Sequence, residues 1–393
     1  MLAKSLENLA ALDLQALVDD GVAESVTLEF KREIPEAAGG GSVKILREIT
    51  ALANTNGGDL IYGVAEQDSV AAEIAGIDAA TLGAQQQRIE NLLRDGVDPP
   101  LRGVRFQPVG LATEGRAALV VRVPKSWSGP HRVTTGGHAH FYGRNAKESY
   151  PLDVAALHES FGASDAMFAR AHAFQTDRII QLSNRQTVRP LERDGALLVY
   201  HMLPLASFAP ASRINLWPPD AERFARFTPA LVNVSNQDPT FEGFVLFTQR
   251  RRDSVAYCHV HRSGCIEVAC VLGPIGEGDD PREYWIESPW IEQFAIFNTE
   301  RFAESLNHYG VSLPYLAALK IIGGTDYRLN VQGPNFQDQT RLGRGVLELP
   351  PAQIESTQFD SASLWKDSLD RLYNAFGREG SPFWRDGRWT ARR

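Results

Sequence analysis

The sequence has few of the features that mark secreted, disulfide-linked or membrane proteins. Its 393 residues include only 3 Cys, and an odd number of cysteines does not favour a disulfide framework. No stretch approaches the ~18 consecutive apolar residues of a membrane helix. Residues 1–22 lack the basic and apolar blocks of a signal peptide. We therefore expect a cytoplasmic protein with no membrane partner.

The three cysteines lie close to two histidines, which makes a zinc cluster an alternative to simple burial. The residues are Cys258, His259, His261, Cys265 and Cys270. Residues 257–261 alternate as a strand does, so neighbours point to opposite faces. The cysteine spacing also lacks the Cys-x2–4-Cys pairing of structural zinc sites. Burial as small apolar side chains is favoured over metal binding.

Bulk composition does not by itself indicate a nucleic-acid partner. The chain has 40 Lys and Arg against 48 Asp and Glu, a formal net charge of −8. It is 43% hydrophobic, as ordinary globular proteins are. Since single hydrophobic cores stop growing at roughly 250–300 residues, the length predicts two domains. We place them at residues 1–161 and 162–393.

Hydrophobic periodicity predicts an α+β fold in both domains. In the first we expect a mixed sheet with flanking helices: helices near 3–18, 43–53, 79–94 and 151–161, and strands near 27–34, 59–64, 104–109, 117–123 and 138–142. In the second we expect mainly antiparallel strands: strands near 195–203, 244–248, 254–261 and 266–272, and helices near 168–181, 290–309, 314–321 and 362–376.

Two glycine-rich turns flank the helix at 43–53. Gly57 and Gly58 follow the helix and precede a strand, so they are expected to cap its C-terminus. The stretch from Gly39 to Lys44 lacks the Gly-Lys-Ser/Thr of a phosphate-binding loop. No ATP hydrolysis is expected.

The segment most suggestive of chemistry is the strand that contains Glu29 and Lys31. The two side chains are two residues apart, so they leave the same face, while Leu28 and Phe30 point to the core. A carboxylate that holds a divalent metal, beside an ammonium that steadies phosphate charge, suits phosphodiester cleavage. The alternative is an ordinary ion pair on the strand.

Several motifs together resemble the Schlafen AlbA domain, which is often labelled a DNA-binding or divergent AAA ATPase domain. They are Glu24-x4-Glu29-Phe30-Lys31, the run at 49–64 (ITALANTNGGDLIYGV), Gly76-Ile77, Pro99-Pro100, the run at 119–123 and Phe141-Tyr142-Gly143-Arg144. The resemblance covers about residues 22–160.

The resemblance implies an RNA endonuclease, because related vertebrate Schlafen domains cleave tRNA and rRNA. Its metal site would comprise Glu24, Glu29 and Glu66, holding Mg²⁺ or Mn²⁺ with Lys31 assisting. Glu66 stands where the family usually has Asp, and Asp68 is an alternative ligand. A role in bacterial stress or phage defence would follow. Since one regular strand would place Glu24 and Glu29 on opposite faces, Glu24 is expected to bend back from a preceding turn.

Residues 102–147 carry eight basic residues against a single acid, Glu114. Aromatic residues are interleaved with them, as phosphate contact and base stacking require. The candidate contacts are Lys125, Arg132, Arg144 and Lys147, with RNA favoured over DNA. The alternative is that these side chains are simply solvated.

Two other functions stay open. One is a non-catalytic nucleic-acid-binding transcriptional regulator built on the same domain. The other is a nucleotide or small-molecule sensor in which residues 162–393 do the work. For that second domain, sensing, partner binding and oligomerisation, including a homo-oligomer, are all compatible with the sequence.

Overall fold

A computed structural model gives the fold of the chain. It describes all residues except 1, 3, 5, 138, 193–194, 210–211, 213, 251–252, 273–284, 332–339 and 392–393, and the side chains of 249–250 and 253–254. His138, the first residue of the expected aromatic strand, lies outside the described residues. The chain divides into two compact units, Met1–Ala166 and Met167–Arg393. No helix in the described ranges is long and apolar enough to cross a membrane.

The first unit combines helices with short strands. Its helices are α1 (Ala11–Asp19), α2 (Gly41–Asn54), α3 (Leu82–Gly96) and the start of α4 (Val154–Ser183). Its strands are β1 (Leu28–Lys31), β2 (Gly58–Tyr62), β3 (Val64–Gln67), β4 (Val70–Ile74), β5 (Ile77–Asp78), β6 (Val97–Asp98), β7 (Arg105–Gly110), β8 (Arg116–Val123), β9 (Arg132–Val133), β10 (His140–Arg144) and β11 (Ser149–Pro151). The predicted mixed sheet with flanking helices is confirmed.

The main sheet of this unit has the strand order β1-β2-β8-β5, with β7 also paired to β8. β1 runs parallel to β2, and β2 runs antiparallel to β8. A smaller sheet has the order β11-β10-β9-β6, and β3 and β4 form a hairpin. The parallel pairing places Glu29 and Lys31 beside the middle and end of β2.

Alternation along the strands gives the main sheet two apolar faces. Leu60 and Tyr62 of β2 pack with α2 and α3, whereas Ile61 between them packs with α1 and Phe30. Both faces are covered, so successive residues of β2 are fully buried. This period of two is what fixes the strand register.

The second unit is built on an antiparallel sheet, as expected. Its strands are β12 (Ala196–Pro204), β13 (Asn236–Pro239), β14 (Gly243–Arg250), β15 (Asp253–His261), β16 (Ile266–Leu272), β17 (Trp285–Glu287), β18 (Tyr315–Ile322), β19 (Arg328–Asn330), β20 (Val346–Glu348), β21 (Ala352–Ile354), β22 (Trp384–Arg385) and β23 (Arg388–Trp389). Its helices are the rest of α4, α5 (Asp220–Phe227), α6 (Ser288–His308) and α7 (Ser361–Asn374).

The large sheet has the order β13-β14-β15-β16-β12-β18-β20, with β21 also paired to β18. One face packs on α6 and α7, and the other receives Ile179 and Leu182 of α4. Two predictions were wrong here. Residues 314–321 form strand β18 instead of a helix, and the two helices expected at 151–161 and 168–181 are one continuous helix, α4.

Candidate functional site

A tight turn before β1 folds Glu24 back over the strand. Ser25 and Leu28 exchange backbone hydrogen bonds of 3.0 and 3.3 Å. Glu24 Oε1 accepts a hydrogen bond from the Phe30 backbone N–H at 2.9 Å. The expected reversal of Glu24 is therefore confirmed, and residues 25–28 make the turn.

Glu24, Glu29 and Lys31 meet at this point, and we call them the β1 cluster. The Lys31 ammonium pairs with the Glu29 carboxylate, and its Nζ lies 3.8 Å from Glu24 Oε1. Glu29 is only 5% exposed, whereas the Lys31 side chain keeps 23% of its surface in solvent. The cluster thus combines two largely buried carboxylates with one accessible ammonium.

Arg144 also belongs to this site, which corrects its expected role at the surface. Its guanidinium is buried and pairs with Glu29. Arg144 Nε donates to the Ser25 carbonyl at 3.0 Å, and one terminal nitrogen donates to the Leu28 carbonyl at 3.2 Å. Because these bonds clamp the turn before β1, Arg144 is a positioning residue and is not exposed for phosphate contact.

A third carboxylate, Glu48 of α2, lies in the same region and was not predicted. It is 3% exposed, and its Oε2 has no hydrogen-bond partner among the described residues. Burial raises the pKa of the Glu48 carboxyl, against the opposing influence of Lys31 and two basic residues of α2, while Glu24 raises it further. Helical spacing could have placed Glu48 on the buried face of α2, because it follows Ile45 by three residues and precedes Leu52 by four.

Glu66 has a different partner. It lies at the end of the β3–β4 hairpin, is exposed, and accepts a hydrogen bond from the Ser69 backbone N–H at 2.6 Å. Asp68 and Ser69 have φ angles of 55° and 63°, which is the geometry of a two-residue hairpin turn. The Ser69 carbonyl accepts the Glu24 backbone N–H at 2.7 Å, so the hairpin adjoins the β1 cluster.

The expected ligand trio of Glu24, Glu29 and Glu66 is not assembled as a metal centre. Over the described part of the chain, no three His, Cys, Asp or Glu side chains are grouped so that they could hold a metal ion. The chemistry of the site still suits a hard cation, because oxygen donors are those that Mg²⁺ and Mn²⁺ prefer. The unpartnered Glu48 oxygen leaves buried negative charge that a cation or a proton would satisfy.

The sequence comparison now identifies this unit. Residues 24–153, about a third of the chain, match the family model described as Schlafen, AlbA_2. These residues form a Schlafen AlbA_2 domain. No curated protein matches the chain.

Solved structures resemble parts of the chain weakly. The DIP2311 protein from Corynebacterium diphtheriae is 17% identical with a TM-score of 0.26, covering 38% of this chain and 27% of that one. The N-terminal domain of a Nitrosomonas europaea protein, described as related to the ATP-dependent DNA helicase RecG, is 21% identical with a TM-score of 0.27, covering 37% and 94%. The chain thus spans about a quarter of the diphtheria protein, and neither likeness bears on function.

The basic stretch of the AlbA_2 domain is largely engaged in internal contacts. Arg122 is buried against Asp59 at 2.7 Å. Arg132, 39% exposed in its side chain, pairs with Asp98 at 2.9 Å. Lys125 donates to the Asn54 carbonyl at 2.9 Å, and burial lowers the pKa of Lys125 to about 8. The last candidate of the stretch, residue 147, has an exposed side chain.

In the second unit, four of the five residues of the suggested zinc cluster are buried, and His261 is half-buried. All three cysteines are free and buried, and burial raises the pKa of each thiol. Burial, reinforced by His261, lowers the pKa of His259 to about 3. Glu267 nearby accepts hydrogen bonds from Arg178 at 2.7 and 2.8 Å and from the Tyr257 hydroxyl at 2.6 Å. The contacts are those of a structural network.

Proposed function

We propose that the AlbA_2 domain binds nucleic acid, with RNA favoured over DNA, and cleaves it as a metal-dependent endoribonuclease at the β1 cluster. The substrate would be tRNA-like or single-stranded, and a stress or phage-defence role is the setting that such an activity would serve. The observation that supports this most directly is the convergence of Glu24, Glu29 and Lys31, with Glu48 buried beside them.

Each residue of the site has a defined part in this proposal. Glu24 and Glu29 would hold Mg²⁺ or Mn²⁺, with Glu48 as a further buried carboxylate of the same region. Glu66 lies on the adjoining hairpin, where its Oε2 accepts the Ser69 N–H. When bound, the cation would supply an activated water and neutralise phosphate charge. Lys31 is the accessible cation, placed to pair with a phosphate oxygen. Arg144 keeps Glu29 and the turn in position.

A second candidate function is nucleic-acid binding without cleavage. It is favoured by the pairing of Glu29 with both Lys31 and Arg144, which already neutralises this carboxylate. An ion pair of this kind persists unless a stronger cation displaces the ammonium. The two candidates differ in whether added metal produces cleavage.

To separate them, the full chain is incubated with tRNA and with single-stranded DNA in Mn²⁺, in Mg²⁺ and in EDTA. We expect metal-dependent cleavage of tRNA by the native chain and a loss on the order of 100-fold or more in Glu29→Gln. Glu114→Gln, on an exposed loop, is the matched control and should cleave normally.

Because Glu29 also pairs with Arg144, melting curves must accompany the assay, and Glu24→Gln provides a second variant. Cleavage that survives both substitutions would refute the proposed site. Binding of tRNA with no cleavage in any metal would favour the second candidate instead.

A further inference from the structure

The loop after β8 contains a second group of reactive side chains, which the proposed nuclease function does not use. A cavity of about 160 Å³ lies within the first unit and is lined by Asn54, Lys125, Ser126, Trp127 and Glu159, among others. His131 lies just behind it, fully buried. The lining of the cavity combines a hydroxyl, an ammonium and an aromatic ring.

Ser126 and His131 are joined by a short hydrogen bond with a defined direction. Ser126 Oγ lies 2.7 Å from His131 Nε2, and His131 Nδ1 lies 2.7 Å from the Pro99 carbonyl oxygen. A carbonyl can only accept, so Nδ1 carries the proton of the neutral ring. Nε2 is then the acceptor, and the Ser126 hydroxyl must donate to it. This is the arrangement of a nucleophile, a general base and an orienting group.

The backbone of His131 is also held in place. The His131 backbone N–H donates to Asn54 Oδ1 at 2.7 Å, and Asn54 Nδ2 donates to the His131 carbonyl at 3.0 Å. Burial lowers the pKa of His131, with Lys125 acting in the same direction, while the Pro99 carbonyl and Asp98 raise it. The ring is therefore neutral near pH 7 and able to accept a proton.

Lys125 places a positive charge in the same cavity. Its Nζ donates to the Asn54 carbonyl at 2.9 Å and lies 5.3 Å from the centre of the Trp127 ring. A cation beside the hydroxyl would stabilise negative charge that develops on an oxygen under attack.

We propose that Ser126 is the nucleophile of a second active site, with His131 as its general base, and that this site hydrolyses carboxylic esters with a small acyl group. The acyl group must be small because drug-sized ligands occupy about 300–1,000 Å³, well above the volume here. The site is independent of the nuclease proposal, since it shares no residue with the β1 cluster.

Water is the only co-reactant that the hydrolysis needs. Ser126 Oγ forms a bond to the acyl carbon while its proton passes to His131 Nε2. The bond from that carbon to the alcohol oxygen breaks, and the proton on Nε2 passes to the departing alcohol. Water then attacks the acyl-serine, gives its proton to Nε2, and the carboxylic acid leaves as Ser126 recovers its proton.

Methanesulfonyl fluoride, a small reagent, tests this directly on the full chain, because Oγ–S bond formation with loss of fluoride leaves a stable adduct. We expect one adduct per chain, mapped by peptide mass spectrometry to Ser126, and a burst of nitrophenolate from p-nitrophenyl acetate that matches the protein concentration. Ser126→Ala lacks the hydroxyl and should lose both the adduct and the burst. Ser42→Ala, outside the cavity, should label as the native chain does.

The mapping on the native chain does not depend on how any variant folds. An unmodified Ser126 after prolonged incubation, or equal labelling of Ser126→Ala, would overturn the proposal. Either result would leave the cleavage of nucleic acid unchanged. Failure of the esterase proposal can therefore be distinguished from failure of the nuclease proposal.

Discussion

Glu48 has the most unusual environment among the residues of the candidate nuclease site. It is 3% exposed, and one of its oxygens has no partner in the described structure. A buried carboxylate with an unpartnered oxygen is costly in its charged form, so it holds a proton or attracts a cation. Its raised pKa therefore connects the stability of the domain to pH.

We predict that Glu48→Gln flattens the pH dependence of stability. Since the folded pKa lies above the unfolded value of 4.5, the folded chain binds more protons than the unfolded chain between these two pKa values. The native chain should lose stability as the pH rises from about 4.5 through the folded pKa, by on the order of 1 kcal/mol. Glu48→Gln should lack this loss, and denaturant unfolding at pH 5 and pH 8 without metal measures it.

Added Mn²⁺ should restore stability to the native chain at pH 8 but not to Glu48→Gln, if Glu48 contributes to a cation site. Glu114→Gln serves as the control and should keep the native pH profile. An identical slope in the native chain and Glu48→Gln would contradict the assigned environment.

Strand spacing located Glu29 and Lys31 because it is a local property, and the resemblance to the Schlafen AlbA domain added Glu24. They missed the internal roles of Arg144 and Glu48, which depend on contacts distant in sequence. Arg144 meets the turn at residues 25–28 more than a hundred residues away. The charge of Arg144 alone could not show whether its side chain is buried against the turn or exposed for phosphate contact.

At the scale of elements, a glycine at the end of α2 allows the loop beside the proposed esterase site to pack closely against the end of this helix. The Gly57 N–H donates to the Leu52 carbonyl at 2.8 Å, closing the helix as predicted. Its φ is 68°. A Cβ atom on Gly57 would lie only 2.5 Å from the Lys125 backbone nitrogen. The glycine thus serves both the helix cap and the close packing of the next loop.

We predict that Gly57→Ala lowers the free energy of unfolding by more than the cost of a left-handed backbone, which is about 1–2 kcal/mol. Gly115→Ala is a matched control, because Gly115 has a similar φ of 73° but nothing within 4 Å of an added Cβ. Denaturant unfolding should show a clearly larger loss for Gly57→Ala. Equal losses would mean that the loop adjusts freely.

Strand β18 shows why the type of an element can be misjudged from sequence. Its residues are all buried, so the run has no alternation and is rich in Leu and Ala, as a buried helix would be. Short apolar runs do not distinguish the two structures. The segment is a strand because its backbone pairs with β12 on one side and with β20 and β21 on the other. These partners lie elsewhere in the sequence, so the sequence of β18 itself does not reveal them.

For the whole molecule, the distribution of charge matters more than the total of −8. The surplus of basic residues at 102–147 suggested phosphate contacts, but much of this charge is used inside the fold. Arg122 and Arg144 are buried in ion pairs. Lys31 and Lys147 keep exposed surface, so nucleic-acid contact is expected to involve a few accessible cations.

Binding of tRNA to the full chain at graded KCl concentrations is the most direct test that nucleic acid is the partner. Affinity should fall as salt rises, and Lys147→Gln should reduce the slope of log K against log salt by about 0.7–0.9 if one phosphate contact is lost. Lys366→Gln, on the second unit with a side chain 48% exposed, should leave the slope unchanged. Absence of binding at low salt would contradict the account.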